Sequence, residues 1–173
     1  DGRYTFDLRQ LQKNLSGREK VLVFCSPHNP GGRVWTKIEL NEIATFCIEN
    51  ELILLCDEIH AELTYNQNTH HTLLKAAPYA ESNSLVMVST TKPFNLSGGQ
   101  MGSVIIPDKH LRKKFDSVHE ATGKMQNKIG MKMAEELHFA TVAINIEKPS
   151  VFIGFYLFGR VEVSMLASKS SNL

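Results

Sequence analysis

Three short apolar runs, each halting at a polar cluster, constrain this chain more than any other feature of it. Residues 21–25 (Val-Leu-Val-Phe-Cys), 52–56 (Leu-Ile-Leu-Leu-Cys) and 85–88 (Leu-Val-Met-Val) carry no apolar–polar alternation. Strands buried on both faces read this way, as in a parallel sheet with helices on each side. A helix is predicted between the first two runs. Thr36 and Glu39 stand at capping-box spacing, where each side chain satisfies a free backbone N–H of the first turn. Leu40, Ile43, Ala44 and Cys47 then recur at i, i+3, i+4, i+7, which turns one face to the sheet. A fourth run, residues 103–106, ends at Pro107, and a charged helix is predicted over 108–121 with Leu111, Phe115 and Val118 on one side. A short helix is expected over 7–15. After Gly123 the pattern loosens: 129–143 reads as helical, 151–163 as one or two strands, and 168–173 as a fraying tail. The expected class is α/β, a three-layer α/β/α arrangement around a mostly parallel sheet.

Charge and cysteine content narrow the function classes. With 19 basic and 18 acidic residues the net charge is +1, so the basic excess of a nucleic-acid or membrane-surface protein is lacking. Apolar residues at 42% and charged residues at 21% belong to a globular chain. No apolar run nears the about 20 residues that span a bilayer. Cys25, Cys47 and Cys56 form no C-x-x-C pair and leave one odd, which reads as reduced core thiols in a cytoplasmic protein.

The polar clusters at the strand ends carry the chemistry. The first run leads into Ser26-Pro-His-Asn-Pro-Gly-Gly-Arg33, the second into Asp57-Glu-Ile-His60, the third into Ser89-Thr-Thr-Lys92. Ligands of open α/β sheets bind beyond the carboxyl ends of the strands. An amide, a carboxylate with an imidazole, and a lysine with hydroxyls should therefore meet on one rim. That set suits pyridoxal 5′-phosphate, which takes a lysine for its aldehyde and an acid for its pyridinium nitrogen. Gly98-Gly-Gln-Met-Gly102 fits neither dinucleotide nor Walker glycine patterns, so a nucleotide loop is rejected. His70-His71 lacks a carboxylate or cysteine at ligand spacing and reads as a solvated loop; no metal site is expected. His28 is assigned to its own turn, and Met125, Met131 and Met133 to packing.

The same three segments, with Lys92-Pro-Phe-Asn-Leu-Ser-Gly98 completing the last, resemble the fold-type I pyridoxal-phosphate enzymes of the class I/II aminotransferase superfamily. The likeness is greatest to the cystathionine β-lyase (C-S lyase) branch and covers residues 1–123. It implies a partial cofactor-binding large domain over 1–123 and a divergent region over 124–173. It also implies roles. Lys92 would bond the cofactor aldehyde and then shuttle the substrate α-proton, and Asp57 would pair with the pyridinium nitrogen. Asn29 would hydrogen-bond the ring's 3′-oxygen, and Ser89 with Thr91 would bind the phosphate. His60, where many aminotransferases carry Tyr, points to the lyase branch. The implied activity is β-elimination from cystathionine-like amino acids, giving a thiol, pyruvate and ammonia. An aminotransferase on the same scaffold and a non-catalytic fragment are the alternatives.

The resemblance further implies a homodimer acting on a small amino acid. It places a phosphate-holding loop and a ring-stacking aromatic upstream of Asp1, and a small domain with a carboxylate-binding Arg downstream. Arg160 is not assigned to that Arg. Taken alone, the 173-residue chain is expected to bind cofactor weakly, to be marginally stable and to associate through a bare sheet edge.

Overall fold

Helix α2 (Lys37–Glu49) starts where its sequence says it must. The Thr36 side chain accepts from the Glu39 N–H, and Glu39 returns a bond to the Thr36 N–H, closing the capping box. Its inward residues Leu40, Ile43, Ala44 and Cys47 are all buried, joined by Phe46. Each fully buried Leu or Ile side chain of this kind contributes about 1.5–3 kcal/mol. A computed structural model describes residues 4–65, 67–122, 128–133 and 154–155.

Among the described residues the elements run α1 (Leu8–Asn14), β1 (Val21–Cys25), α2, β2 (Ile53–Asp57), α3 (Leu73–Ala76), β3 (Ser84–Val88), β4 (Ser103–Ile105), α4 (Lys109–Ala121) and β5 (Gly154–Phe155). The sheet order is β1-β2-β3-β4-β5. β1 pairs with β2 and β2 with β3 in parallel, while β4 and β5 join antiparallel. Residues 128–133 are helical, in line with the start of the helix expected there. The expectations for 134–143 and 168–173, most of that for 151–163, and Arg160 and Met125 lie outside the described residues.

Helices cover both faces, so the arrangement is three-layered. On one face Phe24, Leu54, Cys56 and Val86 pack with the inward side of α2 and with Leu73 of α3. On the other, Leu85, Val104 and Ile106 pack with Ile53 and Met87 and with Leu111 and Phe115 of α4. The two sets alternate along each strand, as the pleat requires. Val118, expected on the inward side of α4, is 65% exposed. No helix of the described residues is long and apolar enough to cross a membrane.

β1 departs from the two-sided burial that its apolar run predicts. Val21 and Val23 are each 48% exposed, because α4 lies over β3 and β4 and does not reach β1. Among the described residues β1 pairs only with β2, leaving a bare edge beside two exposed valines. Such edges invite pairing with other chains, and a lysine on the edge discourages it. Val23→Lys is therefore expected to reduce self-association of the chain without loss of helix content, measured by light scattering and circular dichroism. Unchanged association in the variant would move the contact elsewhere.

Candidate active site

The rim at the carboxyl ends of β1, β2 and β3 is assembled from three loops. After β1 the sheet pairing runs one residue further, Ser26 N donating to the Asp57 carbonyl at 2.8 Å. The loop then folds back: His28 N donates to the Arg33 carbonyl at 2.7 Å, and Gly32 N to the His28 carbonyl at 2.8 Å. Gly32 sits at φ +62°, open to glycine at no steric cost. A Cβ on Gly31 would lie 2.3 Å from His28 Nδ1 and 2.6 Å from a Tyr4 ring carbon, so a larger residue would force those two rings to move. The Ser26–Pro27 and Asn29–Pro30 peptide bonds are cis.

Arg33 fixes this loop from below. Its guanidinium donates to the Tyr4 carbonyl and to the Glu39 carboxylate, and lies 4.1 Å from the Trp35 ring centroid. Trp35 Nε1 in turn donates to the Cys25 carbonyl at 2.8 Å. The helix-capping glutamate thus also anchors the loop, and Asn29 is left exposed at its tip.

From β2 and the turn that follows it come Asp57 and His60. The Asp57 carboxylate is half-buried and accepts from Ile59 N at 3.1 Å. Burial pushes its pKa up; the Ile59 N–H and the nearby His60 and Lys92 charges oppose that rise without cancelling it. His60 Nε2 stands 3.2 Å from the Asn29 side-chain nitrogen, tying the first loop to the second.

The third loop follows β3. Ser89 Oγ lies 2.5 Å from the Met101 carbonyl and 2.6 Å from Thr91 Oγ1, and accepts from Thr91 N at 3.1 Å. The turn that carries Lys92 is closed by Leu96 N donating to the Thr91 carbonyl at 2.8 Å. Lys92 is exposed and within electrostatic reach of Asp57. Asn29 thus meets His60, and Asp57 feels the charges of His60 and Lys92, whereas Ser89 and Thr91 form a separate pair of hydroxyls bonded to each other.

One sequence expectation is corrected here. His70 is not a solvated loop residue: it is 13% exposed, and its Nε2 lies 3.0 Å from Oε2 of Glu58, itself 2% exposed. The reason is that a buried carboxylate needs a hydrogen-bonding partner, and the loop folds back to supply one. Glu58 and Arg33 are the structural residues that motif reading passed over. The alternation Leu54, Cys56, Glu58 along β2 was the available signal, since it aims Glu58 inward.

The donor set fits one kind of group. A half-buried carboxylate with a raised pKa calls for a cation against it, and an amide, an imidazole and a primary amine stand beside it. A planar ring with a basic nitrogen, an oxygen substituent and an aldehyde meets those needs together.

Fold and rim together define the large-domain architecture of the pyridoxal-phosphate transferases. The chain belongs to the class I and II aminotransferase family, whose model matches residues 2–131. It is 32% identical over 124 residues to cystathionine beta-lyase PatB of Bacillus subtilis, covering 71% of this chain and 32% of that protein. Kynurenine–oxoglutarate transaminase 3 of Mus musculus is 32% identical over 117 residues, covering 68% of this chain and 25% of that one. Among solved structures, cystalysin from Treponema denticola, which contains a pyridoxal 5′-phosphate cofactor, superposes with a TM-score of 0.74. Its identity is 33%, over 83% of this chain and 36% of that chain. The pyridoxal-phosphate-bound C-S lyase from Staphylococcus hominis gives a TM-score of 0.67 at 29% identity, over 75% of this chain and 32% of that one. The chain spans about a quarter to a third of the length of the curated relatives it matches.

Proposed function

We propose that residues 1–123 are the cofactor-binding part of a pyridoxal-phosphate-dependent carbon–sulfur β-lyase acting on cystathionine-like amino acids as a homodimer. Residues 124–173 are assigned to a divergent C-terminal region, a remnant of the large or small domain of such an enzyme. The observation that carries the reading is the meeting on one rim of Asn29 with His60, and of the Asp57 carboxylate with the charges of His60 and Lys92. When bound, pyridoxal phosphate supplies an electron-accepting ring that makes the Cα–H bond of an attached amino acid breakable. Asp57 keeps a proton on the ring nitrogen by placing a negative charge against it. The Asn29 amide would donate to the ring oxygen, with His60 holding that amide in place. Lys92 Nζ takes the proton from substrate Cα and returns it to the leaving sulfur. Ser89 and Thr91 offer hydroxyls to the phosphate.

A transaminase would use Lys92 and Asp57 in the same way, and relatives of both kinds match this chain. The two are separated by assaying pyruvate and thiol release from cystathionine with no oxo-acid present. Release under those conditions is the expected result. Turnover that needs an oxo-acid acceptor would make the enzyme an aminotransferase.

A further inference from the structure

Successive residues of a strand point to opposite faces, so Glu58 is driven inward by the same geometry that presents Asp57 outward. Its anchorage is complete. Glu58 N donates to the Met87 carbonyl at 2.8 Å, which extends the β2–β3 pairing past Asp57. Oε1 accepts from Leu73 N at 2.7 Å, and Oε2 lies 3.0 Å from His70 Nε2. Thr72, the cap residue of α3, makes no side-chain cap bond, so Glu58 caps that helix from another element. The Cys56 thiol is a further donor at 3.7 Å. His70 Nδ1 is buried with no partner among the described residues, which leaves Glu58 as the tie that orients its ring.

These bonds pin both ends of the segment between Glu58 and Leu73, and His60 rides on that segment. Were the Glu58 side chain free to turn, the segment carrying His60 would lose its ties to His70 and to Leu73 N, and with them the frame that sets His60 3.2 Å from the Asn29 amide. We propose that Glu58 and His70 form a positioning pair that holds Asp57 and His60 in register on the rim. The proposal rests on the cofactor reading for its functional consequence, but not for its geometry.

The test uses the full 173-residue chain and the variants His70→Ala, His70→Gln and Glu58→Gln. Gln at position 70 can still donate to Glu58, so His70→Gln serves as the conservative variant, whereas Glu58→Gln removes one of the two acceptor oxygens that hold Leu73 N and His70. The first measurement is the imidazole 15N spectrum of His60 in the cofactor-free chain, taken where circular dichroism and a cooperative melt show the fold intact. The expected result is a shifted His60 signal in His70→Ala and a near-native one in His70→Gln. An unshifted His60 signal in a folded His70→Ala chain overturns the proposal. Should His70→Ala fail to fold, Glu58→Gln decides: its amide cannot accept at both oxygens, so a native His60 signal there overturns the proposal equally.

The second measurement is the dissociation constant of pyridoxal phosphate from its visible band. Outer partners of metal ligands are worth about 10- to 100-fold, and by analogy with the low end of that range about tenfold weaker binding is expected in His70→Ala, largely restored in His70→Gln. Equal affinity in wild type and His70→Ala overturns the positioning role while leaving the cofactor reading intact. If wild type itself gives no Lys92-dependent band, the cofactor reading fails, and the His60 spectrum alone supports or overturns the pair.

Discussion

Lys92→Ala is expected to abolish the visible absorption band that the wild-type chain develops with pyridoxal phosphate. Lys92 stands on a turn directly beyond β3, exposed and within electrostatic reach of Asp57. An alanine leaves no amine there to bond the cofactor aldehyde. It also removes the base at substrate Cα, and positioned proton transfer of that kind contributes about 10²–10⁴-fold in rate. Any β-elimination should fall by at least that factor. The variant should fold as wild type does, because Lys92 buries no side chain and the turn is closed by backbone bonds from its neighbours.

Asp57→Asn is expected to act in opposite directions on stability and on function. In the cofactor-free chain burial, joined by the Glu58 charge, raises the pKa of Asp57 more than the Ile59 N–H, His60 and Lys92 lower it. Between its unfolded value and that raised value the folded state binds more protons than the unfolded one, so stability falls as pH rises through the window. Asparagine carries no charge and escapes the loss. The cofactor-free variant should melt above wild type at neutral pH, with the gap closing as pH falls below the carboxylate range. The functional effect runs the other way. An opposite charge moves the pKa of a titrating group by about 1–3 units, so losing it strips about 10- to 1,000-fold of the ring-nitrogen protonation. Turnover should drop accordingly while the band with Lys92 still forms. Calorimetry of the cofactor-free pair and steady-state rates of the loaded pair check the two halves, and equal turnover would remove Asp57 from the ring nitrogen.

The parts of the molecule that were legible in the sequence are those governed by local rules. The capping box at Thr36 and Glu39, the spacing of Leu40 to Cys47 and the apolar runs of β1 to β3 each state their own structure. The rim was legible for the same reason, since Asn29, Asp57 and Lys92 each stand at or shortly after a strand end, where the fold places ligands. What escaped is non-local. The Glu58–His70 pair closes across a segment with no periodicity, and its carboxylate looks like part of a surface tetrad until the inward alternation of β2 is followed one residue further. Arg33 is merely the last residue of the first polar cluster in the sequence, yet it bridges the chain near Tyr4 to the first turn of α2. The open face of β1 was hidden because an apolar run states that a strand is hydrophobic, not which helices reach it. The Ser89–Thr91 pair was found as residues but not as a unit, for hydroxyl-to-hydroxyl bonding leaves no mark on sequence spacing.

The central claim is that one rim, built from the ends of three parallel strands, holds pyridoxal phosphate through Lys92. Borohydride reduction of the cofactor-loaded chain, followed by peptide mapping, tests it directly, because reduction fixes the cofactor to whichever amine it has bonded. The account predicts the adduct concentrated on the peptide that contains Lys92, and absent from that peptide in Lys92→Ala. An adduct spread over the exposed lysines of α4, such as Lys109, Lys113 and Lys114, with Lys92 unmodified, would contradict it.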